Sequence, residues 1–235
     1  MTAVFDTKDP NARGRSPRPR DAATLVLVRR GEGSASVLMG QRHERHAFMP
    51  NKYVFPGGGI DREDLAIRPL TPLRADVERR LRVECKRARV EALALAAIRE
   101  TFEETGVLVG ARSDAPLDPV AGHWAHFFAR GVAPSLEGLD FIARAITPPQ
   151  RPRRFDARFF MADASAIAAD VDPGPISGEF KDVRWVPLGE ARTLDLPTIT
   201  RRVIVEIEER VREPGAPRPV PFFRFRHGKP SQMEL

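Results

Sequence analysis

A chain of 235 residues, 42% hydrophobic and 30% charged, has the balance of an ordinary globular protein, long enough to bury a real core in one generous domain or two small ones. No apolar run approaches the roughly 18 residues of a bilayer span, and the polar, Arg/Pro-rich start lacks the apolar core of a signal peptide. The net charge of +6 is spread along the whole chain with only one Tyr and two Trp among it, which argues against a nucleic-acid surface and suits small polyphosphate ligands equally well.

The chain order of predicted elements begins with residues 1–21 as a flexible basic arm, rich in Pro and Arg. Ala23 to Val28 is a β-branched run that reads as a buried strand, and Gly31-Glu32-Gly33 turns it into a second strand over Ser36 to Gln41, a hairpin. Tyr53-Val54-Phe55 is a short strand stopped by Pro56-Gly57-Gly58-Gly59. From Leu73 to Thr105 the pattern is helical in one or two pieces, with Pro69 and Pro72 barring an earlier start and Gly106 placed as a C-cap. A helix over Leu136 to Arg144, strands at Arg158 to Met161 and Val183 to Val186, and an amphipathic helix from Thr198 follow; Ile199, Val203, Ile207 and Val211 form the apolar face of that helix. Residues 213–235 read as a Pro-rich basic tail. Strands mixed with helices behind an opening hairpin predict one α/β (α+β) sandwich domain over residues 22–212, with a helical insertion at about 65–90. The single cysteine, Cys85, forms no internal disulfide, which fits a reducing compartment; the expected location is the cytoplasm.

The segment from Glu91 to Gly106 carries the chemistry. Each helical residue advances about 100°, so Leu95, Ile98 and Phe102 share one face while Glu100, Glu103 and Glu104 fall together on nearly the opposite one. Three carboxylates on one stripe repel each other unless something positive intervenes. Arg99, four residues before Glu103, helps; a hard divalent cation, which prefers carboxylate oxygen, does more. An isolated acidic stripe usually faces solvent, but this one follows the glycine turn at Pro56-Gly57-Gly58, where backbone can approach a metal closely.

These residues resemble the Nudix box, G-x5-E-x7-R-E-U-x-E-E-x-G-U with U a bulky apolar residue. Arg99-Glu100-Thr101-Phe102-Glu103-Glu104-Thr105-Gly106-Val107 matches its second half, with Thr101 in place of U. Two residues compete for the first acidic slot: Asp64, six after Gly58, and Glu91, eight before Arg99. The resemblance implies a Nudix α/β/α sandwich with a mixed sheet and an insertion within the box. It also implies a hydrolase that cuts the phosphoanhydride bond of a nucleoside diphosphate linked to another moiety. By the same resemblance Glu100, Glu103 and Glu104, with the carbonyl of Gly57, hold Mg²⁺ or Mn²⁺; Glu103, Glu104 and Arg99 serve catalysis, Arg99 by orienting a carboxylate.

Outside the box, Leu38-Met39-Gly40-Gln41-Arg42, Phe48-Met49-Pro50 and Phe55-Pro56-Gly57-Gly58 resemble the signature of coenzyme A diphosphatases of the peroxisomal type and their bacterial relatives. Ala47 stands where that signature has arginine, and Asn51 where it has glycine. Arg42, Arg153 and Arg154 are the candidates for substrate phosphate. Glu179, in a Gly-containing loop before a core strand, is the candidate general base or extra ligand. The basic insertion, with Leu73, Val77 and Leu81 as its apolar stripe, reads first as a Glu-paired surface and second as a phosphate clamp or homodimer contact. Rival readings are an ADP-ribose or NADH diphosphatase on the same fold, and a non-catalytic nucleotide-binding module; the latter usually lacks the carboxylates retained here.

Overall fold

Strand β1 (Arg20–Arg30) organises the sheet in the computed structural model, which describes residues 16–31, 33–46, 49–113, 122–149, 151–168 and 172–235. It is followed by β2 (Ala35–Arg42), β3 (Tyr53–Val54), β4 (Gly57–Gly59), α1 (Ala75–Leu81), α2 (Val90–Thr105), β5 (Ala111–Arg112), α3 (His123–Phe128) and β6 (Val132–Ala133). Next come β7 (Asp140–Ile146), β8 (Phe155–Asp163), β9 (Phe180–Pro187), α4 (Leu188–Ala191), α5 (Thr198–Arg212), β10 (Pro221–Arg226) and β11 (Lys229–Glu234). The main sheet runs β11-β10-β7-β8-β1-β2-β3, with β4 against β1 and β9 against β2. It is mixed: β1 is parallel to β8 and β10 to β7, while the other pairs are antiparallel.

β1 shows how the sequence builds two cores. Its side chains alternate across the sheet, so Ala23, Leu25 and Leu27 join one cluster while Val26 and Val28 join the other. The first cluster is covered by α1 and α2, through Val77, Leu81, Leu95 and Ile98; the second is covered by α5, through Val203, Ile204 and Ile207. The result is the predicted α/β/α sandwich. Among the described residues no helix is long and apolar enough to cross a membrane.

Several expectations need correction. The segment over Leu136 to Arg144 is not a helix: β7 occupies Asp140–Ile146, between β8 and β10. Buried on both faces, it reads Phe141-Ile142-Ala143 without alternation, and such a short apolar run does not distinguish helix from strand. The basic tail over 213–235 is folded too. β10 and β11 form a hairpin on the edge of the sheet, where Val220 and Phe222 are fully buried and Phe223 nearly so. Of the N-terminal arm, residues 1–15 lie outside the described residues, but the strand already starts at Arg20. Leu73, Val77 and Leu81 are 7%, 2% and 1% exposed, so this stripe belongs to the core.

Charges that are exposed only at Arg89, at one end, link the central strands. Arg89 pairs with Asp21; Asp21 Oδ1 lies 2.7 Å from Arg158 Nη1. Arg158 in turn is 3.3 Å from Asp156, whose carboxylate accepts from Arg144 Nε at 2.8 Å and Nη2 at 2.7 Å. Arg144 closes the chain by donating to the Val83 carbonyl at 2.7 Å, with its guanidinium 4.3 Å above the Phe222 ring. Arg144 and Arg158 are 2% and 1% exposed, and every link alternates in sign. Such pairing lets ionised groups stay inside.

Candidate active site

α2 is buried along its length except at Glu91, Glu100 and Glu103. Its acidic stripe therefore does not face solvent; it faces β4. Gly57 donates its N–H to Glu104 Oε2 at 2.9 Å, and a Cβ on Gly58 would overlap the Glu100 carboxylate, so a larger residue there would have to push that carboxylate aside. Thr101, at the apolar position of the motif, is fully buried and turns its hydroxyl inward to the Ala97 carbonyl at 2.7 Å, which satisfies it within the helix. Gly106 ends the helix with φ of 76°, its N–H donating to the Phe102 carbonyl.

Arg99, 3% exposed, sits at the centre of the cluster. Its Nε and Nη2 donate to Asp64 Oδ1 and Oδ2 at 2.9 and 3.0 Å, and Nη2 also donates to the Gly59 carbonyl at 2.9 Å. Its Nη1 donates to Glu100 Oε1 at 2.9 Å and Glu103 Oε2 at 3.1 Å. A guanidinium has five N–H groups, and all of them are committed. Arg99 has no donor left for a substrate; it orients carboxylates. Burial alone would lower its pKa, but the hydrogen bonds it donates to Asp64 and the charges of Glu100, Asp64 and Glu103 outweigh that and raise it. The geometry also decides the first acidic slot. Asp64, 1% exposed, takes the bidentate contact, whereas Glu91 is exposed at the start of α2.

Two carboxylate oxygens are left without a hydrogen-bond donor although buried: Glu103 Oε1 and Glu104 Oε1. His123 Nδ1 stands 3.1 Å from Glu103 Oε1, an ion-pair distance without hydrogen-bond alignment. Glu104 is 2% exposed, and burial, then the neighbouring charge of Glu100, push its pKa well above the ordinary carboxylate value. Burial likewise raises Glu100, against the opposing pull of Arg99. Among the described residues no three acidic, imidazole or thiol groups enclose a point as a finished metal cage. The orphaned oxygens and the raised carboxylates nevertheless fit a hard divalent cation, which supplies the missing positive charge through oxygen ligands.

The structure brings two further candidates to this cluster. Glu179 acts electrostatically on both Glu100 and Glu104, and its Oε2 lies 3.7 Å from Arg42 Nη1 and 3.6 Å from His46 Nε2. Its backbone carbonyl accepts from the His43 N–H at 2.9 Å, which ties this loop to the end of β2. Arg42, near enough to lower Glu104, bonds His46 through Nη1 and keeps a buried Nε without a partner. Arg153 and Arg154 are not brought here. Arg154 bonds the Thr147 and Pro17 carbonyls and Ser16, and Arg153 is exposed. They precede Phe155, which is level with Arg20, while Gly57 is level with Thr24; at a strand rise of about 3.3 Å per residue this is roughly 13 Å. A cavity of about 350 Å³ lies elsewhere, among Arg74, Arg80, Arg210 and Arg218, and holds none of the predicted site residues. Sequence reading missed Glu63, next to Asp64, and the pairing of Trp124 with Asp64 and of His123 with Glu63, each across 60 positions; nothing local in the sequence marks those contacts.

No protein-family model matches the chain, and no curated protein matches it. Solved structures do. A Nudix hydrolase from Alicyclobacillus acidocaldarius is 30% identical, aligned over 80% of this chain and 90% of its own, with a TM-score of 0.61. The Nudix domain of NrtR from Shewanella oneidensis, in complex with ADP ribose, is 16% identical over 86% of this chain and 93% of its own, with a TM-score of 0.50.

Proposed function

Since the chain belongs to the Nudix hydrolase family, we propose that it cleaves the phosphoanhydride bond of coenzyme A or a similar nucleoside diphosphate derivative carrying an extra phosphate. The observation that carries the hydrolytic part is the pair of buried oxygens on Glu103 and Glu104 that accept no hydrogen bond, beside a fully committed Arg99. Glu100, Glu103, Glu104 and the carbonyl of Gly57 would hold Mg²⁺ or Mn²⁺. When bound, such an ion neutralises diphosphate charge and activates a water. The protein's own part is to fix the carboxylates through Arg99, to present Arg42 to a phosphate, and to place Glu179 within reach as a base or further ligand. A carboxylate near pH 7 is a competent acceptor for a proton leaving an attacking water.

The coenzyme A assignment rests on the residues around β2 and β4. Asn51, which replaces a glycine of that signature, has φ of 61°, a left-handed conformation that asparagine tolerates better than most residues. Asparagine thus holds here a backbone conformation that a glycine also adopts readily. Ala47, the other departure, lies outside the described residues. Arg42 has an unused donor for a diphosphate oxygen, and Arg153, exposed at the start of β8, is free to meet a distant 3′-phosphate. The adenosine end would then extend along β1 away from Glu104.

The test compares coenzyme A, dephospho-coenzyme A, ADP-ribose and NADH at equal concentration with Mg²⁺ and with Mn²⁺, following product formation. Coenzyme A should give 3′,5′-ADP and 4′-phosphopantetheine and should be cleaved faster than its dephospho form. ADP-ribose, the ligand of the Shewanella domain, is the rival: equal or faster cleavage of it rejects the coenzyme A reading and leaves a general diphosphatase.

A further inference from the structure

Asp64 is saturated with donors from three directions. Oδ1 accepts from Arg99 Nε and from Trp124 Nε1, both at 2.9 Å; Oδ2 accepts from Arg99 Nη2 at 3.0 Å and from the Asp61 N–H at 2.7 Å. Trp124 is fully buried, and its ring is held edge-on by Phe127 at 5.1 Å and tilted against Phe128 at 5.8 Å. The residues before it are docked as closely. The His123 N–H donates to Glu63 Oε2 at 2.8 Å. Gly122 has φ of 76° and no room for a Cβ, because the Glu63 carboxylate fills that space. His123 thus meets Glu63 through its backbone and Glu103 through its ring, and Trp124 meets Asp64.

We propose that Trp124 is a positioning residue of the hydrolytic site: its indole N–H sets the Asp64 carboxylate, Asp64 sets the plane of Arg99, and Arg99 sets the directions of Glu100 and Glu103. The inference deepens the hydrolase reading and rests on it. A bidentate carboxylate defines the plane of a guanidinium, and Nη1, fixed by that plane, is the donor to both glutamates. Remove the indole donor and Oδ1 keeps a single partner, so the carboxylate rotates about its Cβ–Cγ bond and the guanidinium follows. The indole also limits length. A glutamate at position 64 would carry its carboxylate about 1.5 Å further, one C–C bond, into the space that Trp124 Nε1 occupies.

A double-substitution cycle on the full chain tests this. Mn²⁺ affinity is measured by the resonance signal of the free ion, and turnover with coenzyme A and ADP-ribose. Trp124→Phe should weaken Mn²⁺ binding and lower kcat by about tenfold, the size usual for a partner that orients a ligand, with KM within about twofold. Asp64→Glu should do the same through collision with the indole. The pair together should recover Mn²⁺ affinity to within about threefold of the parent, because the longer carboxylate reaches Arg99 where the N–H has gone. If the smaller ring weakens the core, 3-benzothienylalanine at position 124, which replaces the N–H by sulfur at the same shape, gives the same readout. Unchanged Mn²⁺ affinity in the single Trp124 variants, or losses that simply multiply in the double variant, overturns the proposal. Glu104→Gln is the control. If it too binds Mn²⁺ normally, the hydrolase site itself is misassigned; if it alone loses binding, only the role of Trp124 falls.

Discussion

Replacing Glu104 by glutamine exchanges one buried carboxylate oxygen for an amide NH₂ at nearly constant shape. The Gly57 N–H now bonds Glu104 Oε2 at 2.9 Å and can bond the amide oxygen instead, so strand β4 keeps its hold on α2. What disappears is a charge that burial and the neighbouring Glu100 disfavour, and Oε1, an acceptor without a donor, gives way to an NH₂ that can donate toward the Glu100 carboxylate. An unsatisfied buried polar group costs about 1–3 kcal/mol. In a chain of this size each kcal/mol is worth about 2–4 °C in Tm, so the metal-free variant should melt roughly 2–12 °C higher. Turnover should fall by about a hundredfold or more, since the charge that balances the cation and its activated water is gone. Calorimetry in EDTA gives the first quantity and product release with Mn²⁺ the second. Stability and activity should move in opposite directions, as they do where a site is maintained at the expense of the fold. Lower or unchanged stability with retained turnover would refute the reasoning, because Glu104 would then be an ordinary structural carboxylate.

Two further outcomes follow from the same geometry. Glu179→Gln should lower kcat with KM nearly unchanged, because Glu179 faces the cluster from a loop; a loss under about threefold would make it ordinary surface. A pH effect has a definite sign. Glu100 and Glu104 are raised above 4.5 in the metal-free fold, so the stability tied to them is full below that value and falls as pH rises through their folded pKa values. The lowered carboxylates Asp21, Asp61 and Asp163 contribute above their ordinary value of 3.8 and lose their contribution only as pH falls below it, outside that window. Metal-free protein should therefore melt progressively lower as pH is raised from 4.5 toward neutrality, and Mn²⁺ affinity should rise over the same interval as protons cease to compete. Glu104→Gln should flatten both slopes; pH-independent Mn²⁺ binding in the parent chain would count against the carboxylate site.

The acidic helix was readable because its signal is local. Spacing alone puts Glu100, Glu103 and Glu104 on one side and Leu95, Ile98 and Phe102 on the other, and the structure keeps that division. The choice between Asp64 and Glu91 was not readable, since both fit a count from one end of the motif and only the fold shows which carboxylate meets Arg99. Distance in sequence hid the rest. Trp124 reaches Asp64 across 60 positions, and no periodicity reports such a contact. Composition misled at the C-terminus, where Pro and Arg around Phe222 and Phe223 disguise a strand whose apolar positions are buried. In β7 the absence of alternation hid a strand, because both its faces are core.

The alternating charges from Arg89 to Arg144 bear on how the chain finds one structure among near neighbours. β1 and β8 are parallel and carry apolar side chains into a core on both faces, so apolar alternation by itself separates one register from the next only weakly. A slide by one residue would send Asp21 or Asp156 to the opposite face and strand Arg158 and Arg144 as lone charges inside. Breaking one buried partnership in that way costs about 3–5 kcal/mol, a large share of the roughly 5–15 kcal/mol that separates folded from unfolded chains. The ladder thus acts as an address: it adds little to the depth of the correct minimum and makes its shifted imitations unaffordable. Swapping all five residues for apolar ones of equal volume would be expected to leave the melting temperature near its present value while broadening the set of pairings the strands sample, visible as multiple amide resonances for β1.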